Sequence, residues 1–361
     1  MLKVGIVGAR GMSTVMGFGE NPDSEVTAVC DLDEGVSRSL ADRLGVRPYR
    51  VFEDMLGADI DAVVIATPMQ CHVPQALKAL EAGKHVMSEV TAGVTVDELW
   101  WLKEAVEGSG RVYFFAENYC YIPENQMVRS MVAQGAFGEV YYAEGEYLHD
   151  IRSLAKYPDG RDSWRRHWQL GRRGNFYPTH SLGPIMQWFG DDRVAEVSCF
   201  GTGPVMIPGR RGDDTSVTVC RTAKGRLIRL RLDCVSDRPH NMAYYSLQGT
   251  EGAYESERGF GDAKKVWIRD GRGGGAFWEP LDKYRDRFMP ERYLRPEERH
   301  AKAGHGGGDF YIVDDFVDAC LGRSRPAIDV YDGIEWTCVA LLSQASAEAG
   351  GKAMAMPDFR G

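Results

Sequence analysis

The stretch KVGIVGARGMS, residues 3–13, decides the fold. Residues 3–8 form a short apolar run that predicts a buried strand, and GARGMS predicts a tight turn that opens a helix. Amide groups at such a helix N-terminus favour a pyrophosphate. The match to G-x-G-x-x-G is imperfect, and a purely structural turn is the alternative. The predicted cofactor contacts in this turn are Gly8, Arg10, Gly11, Met12 and Ser13.

A carboxylate strengthens the dinucleotide interpretation. Asp31 ends the second predicted strand, VTAVCD at 26–31, roughly twenty residues after the glycine turn, where an acidic side chain binds the adenosine ribose hydroxyls. A carboxylate at this place repels a 2′-phosphate, so the sequence predicts NAD rather than NADP. An ordinary turn residue at a strand end is the alternative for Asp31.

The pattern of apolar runs changes near residue 121. Before it, continuous β-branched or aromatic runs alternate with amphipathic helical patterns, which is typical of a doubly wound parallel sheet. After it, most runs alternate apolar and polar residues, which is typical of an open, mainly antiparallel sheet. We therefore predict an α/β protein with a Rossmann domain at 1–121 and a substrate-binding α+β domain at 122–361. The C-terminal helical pattern is expected to pack back on the first domain.

Composition excludes several classes of function. The chain has 361 residues and a net charge of −9, which disfavours nucleic acid or an anionic membrane as partner. A strand pattern begins almost at once, leaving no room for a signal peptide, and no apolar run approaches the ~20 residues that span a bilayer. Eight cysteines without a C-x-x-C pair indicate reduced thiols in a cytoplasmic protein.

ATPMQCHVPQALKALEAGKHV, residues 66–86, adds a third element. With the glycine turn and Asp31, it resembles the glucose–fructose oxidoreductase, inositol dehydrogenase and rhizopine-catabolism (Gfo/Idh/MocA) family, in which A-T-P-x-x-x-H precedes A-G-K-H-V and usually E-K-P. The resemblance implies contacts with the dinucleotide, the last two of them nearer the nicotinamide: Thr67, Pro68, His72, Glu89 and Asn118. Without the resemblance, His72 would be interpreted as a histidine at a helix start.

The family's lysine is missing. In the dehydrogenases of this family, the E-K-P lysine contacts the hydroxyl whose carbon gives up hydride, but this chain has Glu89-Val90-Thr91. The side chain of valine can neither donate nor accept a hydrogen bond, and it does not titrate. The usual D-x-G-x-H is also absent, and GNFYPTHSLGP at 174–184 stands in its place. If hydride transfer occurs, other residues must handle the hydroxyl proton.

Polar and aromatic residues cluster near the ends of predicted elements. A lone histidine is usually structural and a lone tyrosine usually belongs to a core, but several such clusters in one domain favour a functional site. The clusters lie in YLHD, DSWRRHW, YPTH and GHGGGDF, and their candidate residues are Tyr147, His149, Asp150, Trp164, Arg165, Tyr177, His180, His305 and Asp309.

A narrower resemblance rests on AENYCY, MVAQGAFGEVYYAEGEYLHD, YPTHSLGPIMQW, GHGGGDF and IDVYDGIEW. These segments look like the NAD-dependent family 109 glycoside hydrolases, known for α-N-acetylgalactosaminidase activity, which also lack the lysine. The resemblance implies a site around sugar and nicotinamide formed by Glu117, Tyr147, Arg165, Tyr177 and His180, and it implies no metal site. Trp164 is a further predicted cofactor contact. Departures are Gly308 for a common methionine, Thr91 for proline, and a shorter segment between Tyr147 and Arg165.

The resulting hypothesis is a redox-neutral glycosidase with tightly bound, recycled NAD. It transiently oxidises C3 of a pyranoside, removes the C2 proton, eliminates the aglycone and adds water. His180 accepts the O3 proton and Tyr147 the C2 proton, while Tyr177 orients the sugar. A tyrosine has a pKa of ~10 in water, so Arg165 or His149 must favour its phenolate. The predicted sugar-binding residues are Glu117, His149, Asp150, Arg165, His305 and Asp309.

Three alternatives stay open. The first is an NAD-dependent sugar or cyclitol dehydrogenase with net NADH formation, in which His180 acts as sole base. The second stops at elimination and is a lyase. The third is a cofactor-binding sensor without activity. Family analogy implies a homodimer or homotetramer.

Overall fold

The computed structural model describes residues 1–9, 12–239, 242–269, 277–300, 304 and 307–361. The chain divides into two compact units. Unit 1 consists of Met1–Ile122, Pro296–Thr337 and Phe359–Gly361, and unit 2 of Pro123–Arg295 and Cys338–Asp358. The range predicted as the second domain, 122–361, therefore contains parts of both units.

Unit 1 is built on a six-stranded parallel sheet with the order β3-β2-β1-β4-β5-β6. The side chains of β1 and β4 are almost completely buried, which explains why their sequences are continuous apolar runs rather than alternating ones. The predicted Rossmann fold is thus confirmed. Its strands are β1 Leu2–Val7, β2 Ser24–Cys30, β3 Arg47–Tyr49, β4 Ala62–Ile65, β5 His85–Ser88 and β6 Tyr113–Phe115.

Local sequence signals fix the helices between these strands. Asp33 caps α2 by accepting the N–H groups of Gly35 and Val36. Thr95 and Glu98 form the capping box predicted for α5. The helices are α1 Met12–Glu20, α2 Glu34–Leu44, α3 Phe52–Leu56, α4 His72–Glu81 and α5 Val96–Ser109, with 3-10 turns at Met69–Cys71 and Asn118–Tyr121.

Unit 2 carries a nine-stranded sheet with the order β14-β13-β12-β11-β7-β10-β9-β8-β15. Its strand pairs are antiparallel except for β7 with β10, which confirms the predicted open, mainly antiparallel sheet. The strands are β7 Val140–Leu148, β8 Val194–Gly201, β9 Thr215–Thr222, β10 Leu227–Asp233, β11 Ala243–Gly249, β12 Gly252–Glu255, β13 Lys265–Ile268, β14 Glu279–Pro280 and β15 Met354–Ala355.

The helices of unit 2 connect these strands or flank the sheet. The longest two are α6 Pro123–Ala133 and α8 Thr179–Phe189, and α8 is buried along almost its whole length. The others are α7 Trp164–Trp168, α9 Arg285–Phe288 and α10 Glu291–Leu294, with 3-10 turns at Arg152–Ala155 and Leu281–Tyr284.

Two helices complete the chain, α11 Gly308–Cys320 and α12 Val330–Glu348. The first turns of α12 belong to unit 1, where Gly333 lies close to the ring of Phe115 and Trp336 meets the same ring edge-on at 6.3 Å. Among the helices within the described ranges, none has the length and apolar character required to cross a membrane. The same residues contain no group of three histidine, cysteine or acidic side chains arranged to hold a metal ion.

Candidate active site

The turn between β1 and α1 begins at Gly8, whose φ is 95°. Its N–H donates to the carbonyl oxygen of Cys30 at 2.9 Å and so ties the turn to the end of β2. A Cβ at this position would lie 2.5 Å from the carbonyl oxygen of Ala66, so only glycine fits. Of the other predicted contacts, Arg10 and Gly11 lie outside the described residues, and Met12 and Ser13 are the first two residues of α1.

Asp31 follows β2 at the carboxyl edge of the parallel sheet. Its N–H donates to the carbonyl oxygen of Tyr49 at 3.2 Å, which extends the pairing of β2 with β3. One carboxylate oxygen accepts the N–H of Asp33 at 3.0 Å, and the side chain is half-buried. A carboxylate in this place can accept hydrogen bonds from ribose hydroxyls at the site where doubly wound sheets bind ligands.

The segment after β4 carries Thr67 and Pro68. The hydroxyl of Thr67 donates to Oε1 of Gln75 at 2.6 Å, which ties the segment to the first turns of α4. Pro68 precedes the 3-10 turn that leads into α4. Both residues therefore lie at the same edge of the sheet as Gly8, because β1 and β4 are parallel neighbours.

His72 is buried at the start of α4. Its Nδ1 lies 2.7 Å from the carbonyl oxygen of Thr91 and its Nε2 lies 2.8 Å from that of Thr67. Burial lowers the pKa of His72, while contacts with the carbonyl groups of Thr91, Thr67 and Glu89 act in the opposite direction. Both ring nitrogens thus face the main chain, so His72 links the segments after β4 and β5. Contact of His72 with the dinucleotide stays a prediction.

The segment Glu89-Val90-Thr91 follows β5. Val90 is 7% exposed and Thr91 is 1% exposed, and the peptide bond between them is cis. The described lysines of unit 1 have partners elsewhere, namely Lys3 with Asp59, Lys78 with Glu53, Lys84 with the carbonyl oxygen of Ile60, and Lys103 with Glu107. None of these ammonium groups therefore takes the place of the family's E-K-P lysine, whose position is occupied by Val90 in this chain.

Three of the predicted residues lie near the start of α11 or the end of β6. Glu117 is fully buried, and its Oε1 accepts the N–H of Tyr119 at 3.1 Å. The side-chain amide of Asn118 donates to Asp309 at 3.3 Å, and Asp309 is buried in the first turn of α11. The structure therefore brings Asn118 and Asp309 together. His305 lies outside the described residues.

Three aromatic rings form a cluster in unit 2. The ring of Tyr147 lies 5.6 Å from that of Tyr177 and 5.1 Å from that of His180, and the last two are 4.8 Å apart. The phenolic oxygen of Tyr147 is 2.8 Å from Nδ1 of His149. Tyr147 and His180 are 7% and 9% exposed. The structure thus assembles four predicted residues, separated in sequence, into one group of titratable rings.

Close packing of α8 against β7 creates this cluster. A Cβ at Gly145 would lie 2.7 Å from the carbonyl oxygen of Ser181, so the glycine lets the helix approach the strand. The hydroxyl of Tyr245 donates to the carbonyl oxygen of His180 at 2.5 Å. Sequence reasoning missed Tyr245, although it lies on the buried face of an alternating strand, because many core tyrosines share that pattern.

The remaining predicted residues of unit 2 have partners of their own. Both carboxylate oxygens of Asp150 accept hydrogen bonds from Arg152, which lowers the pKa of Asp150. The guanidinium of Arg165 donates to Gln169 at 2.6 Å and lies over the ring of Trp164, 4.4 Å from its centroid. Arg152 is a second residue that sequence reasoning missed. Of the two cations expected to favour the Tyr147 phenolate, His149 is at hydrogen-bond distance.

The sheet order of unit 1, its glycine turn and its acidic strand end define an NAD-binding Rossmann domain. Residues 2–117 match the family described as "Oxidoreductase family, NAD-binding Rossmann fold" (GFO_IDH_MocA). The whole chain has the fold of a levoglucosan dehydrogenase solved with NADH and L-sorbose (TM-score 0.82, 20% identity, 100% of both chains). An NAD binding oxidoreductase from Klebsiella pneumoniae is similar in fold (TM-score 0.81, 18% identity, 99% of both chains).

The second part of the chain identifies the family. Residues 121–202 and 209–361 match "Glycosyl hydrolase 109, C-terminal domain". A "Glycosyl hydrolase family 109 protein" of Shewanella baltica strain OS155 is 31% identical over 99% of this chain and 85% of its own length. A relative of the same name from Shewanella pealeana is 31% identical over 98% of this chain and 84% of its own. The chain belongs to glycosyl hydrolase family 109, and the expected family is confirmed.

Proposed function

We propose that the protein is a glycoside hydrolase that uses NAD in a redox-neutral cycle. One observation carries the proposal: the phenolic oxygen of Tyr147 lies 2.8 Å from Nδ1 of His149, in a cluster that also contains His180. This cluster offers one base for a carbon-bound proton and another for a hydroxyl proton. Hydrolysis by elimination needs both, and it does not need the pair of carboxylates used by most glycosidases.

The residues of unit 1 fit NAD. Gly8 carries no side chain, and the neighbouring backbone leaves no room for one. A pyrophosphate can therefore approach the turn and the N-terminus of α1. The half-buried carboxylate of Asp31 suits the two adenosine ribose hydroxyls. Thr67 and Pro68 lie at the same sheet edge, and Asn118 is expected nearer the nicotinamide. When bound, NAD supplies removal and later return of a hydride at C3 of the sugar.

His180 is the proposed base for the C3 hydroxyl. A neutral imidazole accepts a proton near pH 7, and loss of that proton makes the C3–H bond a better hydride donor. The carbonyl group of His180 accepts a hydrogen bond from Tyr245. The imidazole ring of His180 stands edge-on to the rings of Tyr147 and Tyr177. These contacts keep the imidazole in one orientation, as a positioned base requires.

Tyr147 is the proposed base at C2. A ketone at C3 makes the neighbouring C2 proton far more acidic than an unactivated sugar C–H. The Nδ1–H group of His149 can donate to the phenolate of Tyr147 and so favour the basic form of the side chain. Tyr177 lies beside Tyr147, with ring centroids 5.6 Å apart, and is proposed to orient the sugar.

The elimination and addition steps balance without an external reagent. As the C2 proton passes to Tyr147, the electron pair of the C2–H bond forms the C2–C3 double bond of an enolate, and the C3 carbonyl oxygen takes up the negative charge. The C3–O double bond then forms again, the C1–C2 double bond forms as the C1–O bond breaks, and the aglycone leaves with the bond electrons and gains a proton. Water adds through its oxygen at C1, and the proton that it releases balances the proton taken by the aglycone. Tyr147 then returns its proton to C2, and His180 returns its proton to O3 once the hydride is back at C3.

Polar residues predicted in each of the two units are proposed to bind sugar hydroxyls. Asp150 retains lone pairs for a hydroxyl while it pairs with Arg152. Arg165 is fixed by Gln169 and Trp164, so its guanidinium group is oriented in advance. The full proposed set is Glu117, His149, Asp150, Arg165, His305 and Asp309, and Trp164 remains a proposed cofactor contact.

The alternative is an NAD-dependent sugar or cyclitol dehydrogenase with net NADH formation. The observation in its favour is that the cluster contains the imidazole of His180, and oxidation of one hydroxyl requires only one base. In that case the Tyr147–His149 pair would only bind substrate, and Tyr147→Phe would leave most of the NADH formation intact. The two functions therefore differ in how they depend on the same side chain.

One assay separates the two functions. The purified protein is incubated with a panel of nitrophenyl glycosides without added cofactor, and nitrophenol and reduced nicotinamide are followed together. Many turnovers of nitrophenol without accumulating NADH support the hydrolase. NADH formed in step with consumed substrate supports the dehydrogenase, and silence across a broad panel contradicts both. NAD released on denaturation tests whether the cofactor is tightly retained.

Cytoplasmic location and assembly into a homodimer or homotetramer remain parts of the proposal. The cysteine pattern of the sequence supports the first, and family analogy supports the second. The mass of the protein in solution, measured by light scattering, tests the assembly.

A further inference from the structure

The segment Gly174–Pro178 leads into α8 and carries Tyr177. On one side, the hydroxyl of Ser343 accepts the N–H of Asn175 at 2.8 Å and donates to the carbonyl oxygen of Ala340 at 2.8 Å. The side chain of Asn175 in turn accepts the N–H of Tyr177 at 3.3 Å. Ser343 and Asn175 are both almost completely buried. One side of the segment is therefore fixed by α12.

The other side of the same segment is held by Asp213. Its carboxylate side chain is 1% exposed; Oδ2 accepts the N–H of Gly174 at 2.8 Å and Oδ1 accepts that of Gly203 at 2.9 Å. The guanidinium of Arg173 lies 3.5 Å from Oδ1. A carboxylate that receives several N–H groups in a buried place makes strong, directional hydrogen bonds. It fixes the start of the segment that carries Tyr177.

Asp213 lies in the loop between β8 and β9. Residues 203–208 of this loop fall between the two stretches that match the family 109 domain, whereas Asp213 lies within the second stretch. The backbone of this loop packs against the segment before Gly174, because a Cβ at Gly212 would lie 2.2 Å from the carbonyl oxygen of Leu170. Asp213 thus connects the loop between β8 and β9 with the residues before α8.

We propose that Asp213 is a positioning residue for the active site: its buried carboxylate holds the N–H of Gly174 and thereby sets the places of Tyr177 and His180. The inference rests on the proposed function, in which these two side chains act on the sugar. Asp213 itself acts through the backbone of Gly174–Pro178. Small displacements of positioned groups reduce the rate of chemistry more than they weaken binding.

Asp214 provides a matched control. It is adjacent in sequence, 7% exposed, and accepts the N–H of Val205 at 2.6 Å and a hydrogen bond from Arg210. Asp213→Asn and Asp214→Asn therefore both replace a buried carboxylate that organises the 203–214 loop. Only Asp213 also holds Gly174, so the difference between the variants reports on positioning rather than on loop stability.

The experiment combines amide hydrogen exchange of peptides covering 173–181 with steady-state kinetics on the best nitrophenyl glycoside. In the wild type, the amides of Gly174 and Asn175 should exchange slowly. Asp213→Asn should speed their exchange and lower kcat on the order of tenfold to hundredfold with little change in KM. Asp214→Asn should speed exchange only in the 203–206 loop and leave kcat within about threefold.

Several outcomes overturn the inference. They are fast exchange at Gly174 in the wild type, equal losses of kcat in both variants, or an unchanged kcat in a folded Asp213→Asn protein. Fast exchange of the Gly174 amide in the wild type would overturn the inference even if Asp213→Asn does not fold. Inactivity of the wild type on every glycoside would instead count against the proposed function, and the amide exchange would still show whether Asp213 holds the segment.

Discussion

The phenolic oxygen of Tyr147 and Nδ1 of His149 lie 2.8 Å apart at the end of β7. Side chains two residues apart in a strand point to the same face, so the sequence YLHD itself places the two rings together. A phenol and an imidazole in contact can share a proton. In the proposed function, this pair supplies the base for the C2 proton, while His180 takes over the hydroxyl proton that the missing lysine would contact.

The first prediction concerns Tyr147→Phe. The variant loses the only atom by which this ring can accept a proton, so exchange of the C2 hydrogen with deuterated solvent should fall by about 10²-fold or more. Mass spectrometry of sugar recovered from D₂O measures the exchange. The matched control is Tyr141→Phe, on the same strand but 50% exposed, which should exchange like the wild type. Full exchange in Tyr147→Phe would remove this tyrosine from the role of base.

The second prediction concerns His149→Asn. Without the imidazole, less of the Tyr147 side chain is phenolate at a given pH, since a hydrogen bond or positive charge that favours the charged form is gone. The rising limb of the exchange rate against pH should therefore move to higher pH. The rate at pH 7 should fall roughly tenfold to hundredfold, because a hydrogen bond to a charged group contributes about 1.5–3 kcal/mol. An unshifted profile would show that His149 does not act on Tyr147.

Much of this fold is visible in local sequence patterns. The glycine turn at Gly8, the strand end at Asp31 and the capping box of Thr95 with Glu98 depend on residues close together in the chain. The alternation of apolar and polar residues along β7 to β13 also distinguishes the mainly antiparallel sheet of unit 2 from the parallel sheet of unit 1. The resemblance of the YLHD and YPTH segments to family 109 then indicated Tyr147, Tyr177 and His180 as site residues. The structure brings these three side chains together.

Partners distant in sequence were not predictable in the same way. Asp213 reaches Gly174 across 39 positions, and Tyr245 reaches the carbonyl group of His180 across 65. No local period encodes such pairs, since they depend on which strands become neighbours. The role of His72 is a further example, because only the structure shows that both of its ring nitrogens face backbone carbonyl groups.

A third prediction tests the cofactor carboxylate. Asp31→Ser should weaken NAD binding about tenfold to hundredfold, since hydrogen bonds between the ribose hydroxyls and a charged group are lost. Binding of NADP should weaken less or improve, because the repulsion of its 2′-phosphate is removed. Equilibrium dialysis of cofactor-free protein measures both. Asp33→Asn is the control, because asparagine also caps α2. Equal losses for both cofactors would contradict the assigned role of Asp31.

A fourth prediction concerns the close approach of α8 to β7. Gly145→Ala places a Cβ 2.7 Å from the carbonyl oxygen of Ser181, so the helix must shift. The free energy of unfolding should fall by about 1–3 kcal/mol, as measured by urea titration. Gly108→Ala, where nothing lies within 4 Å, should be neutral or slightly stabilising. Equal stability of the two variants would mean that β7 and α8 are less closely packed than described.

The last prediction uses the acidic start of α12. Removal from water, followed by the charge of Asp329, raises the pKa of Asp332 to about 7. Arg360 pairs with Asp332 but also makes two hydrogen bonds to Glu335. In the unfolded chain an aspartate has a pKa of about 3.9. The folded state therefore binds this proton more tightly, and the contribution of Asp332 to stability is lost as the pH rises from about 4 to about 7.

Asp332→Asn resembles the protonated carboxyl and does not titrate. Its free energy of unfolding relative to wild type should therefore increase between pH 5 and pH 8, as measured by urea titration at each pH. Asp262→Asn is the control, because a hydrogen bond from Lys265 and N–H groups of the backbone lower the pKa of Asp262 to about 2. That carboxyl is ionised in both states across this range, so the difference between Asp262→Asn and wild type should not change with pH. A constant difference for Asp332→Asn as well would show that the cluster at the start of α12 does not hold a proton at neutral pH.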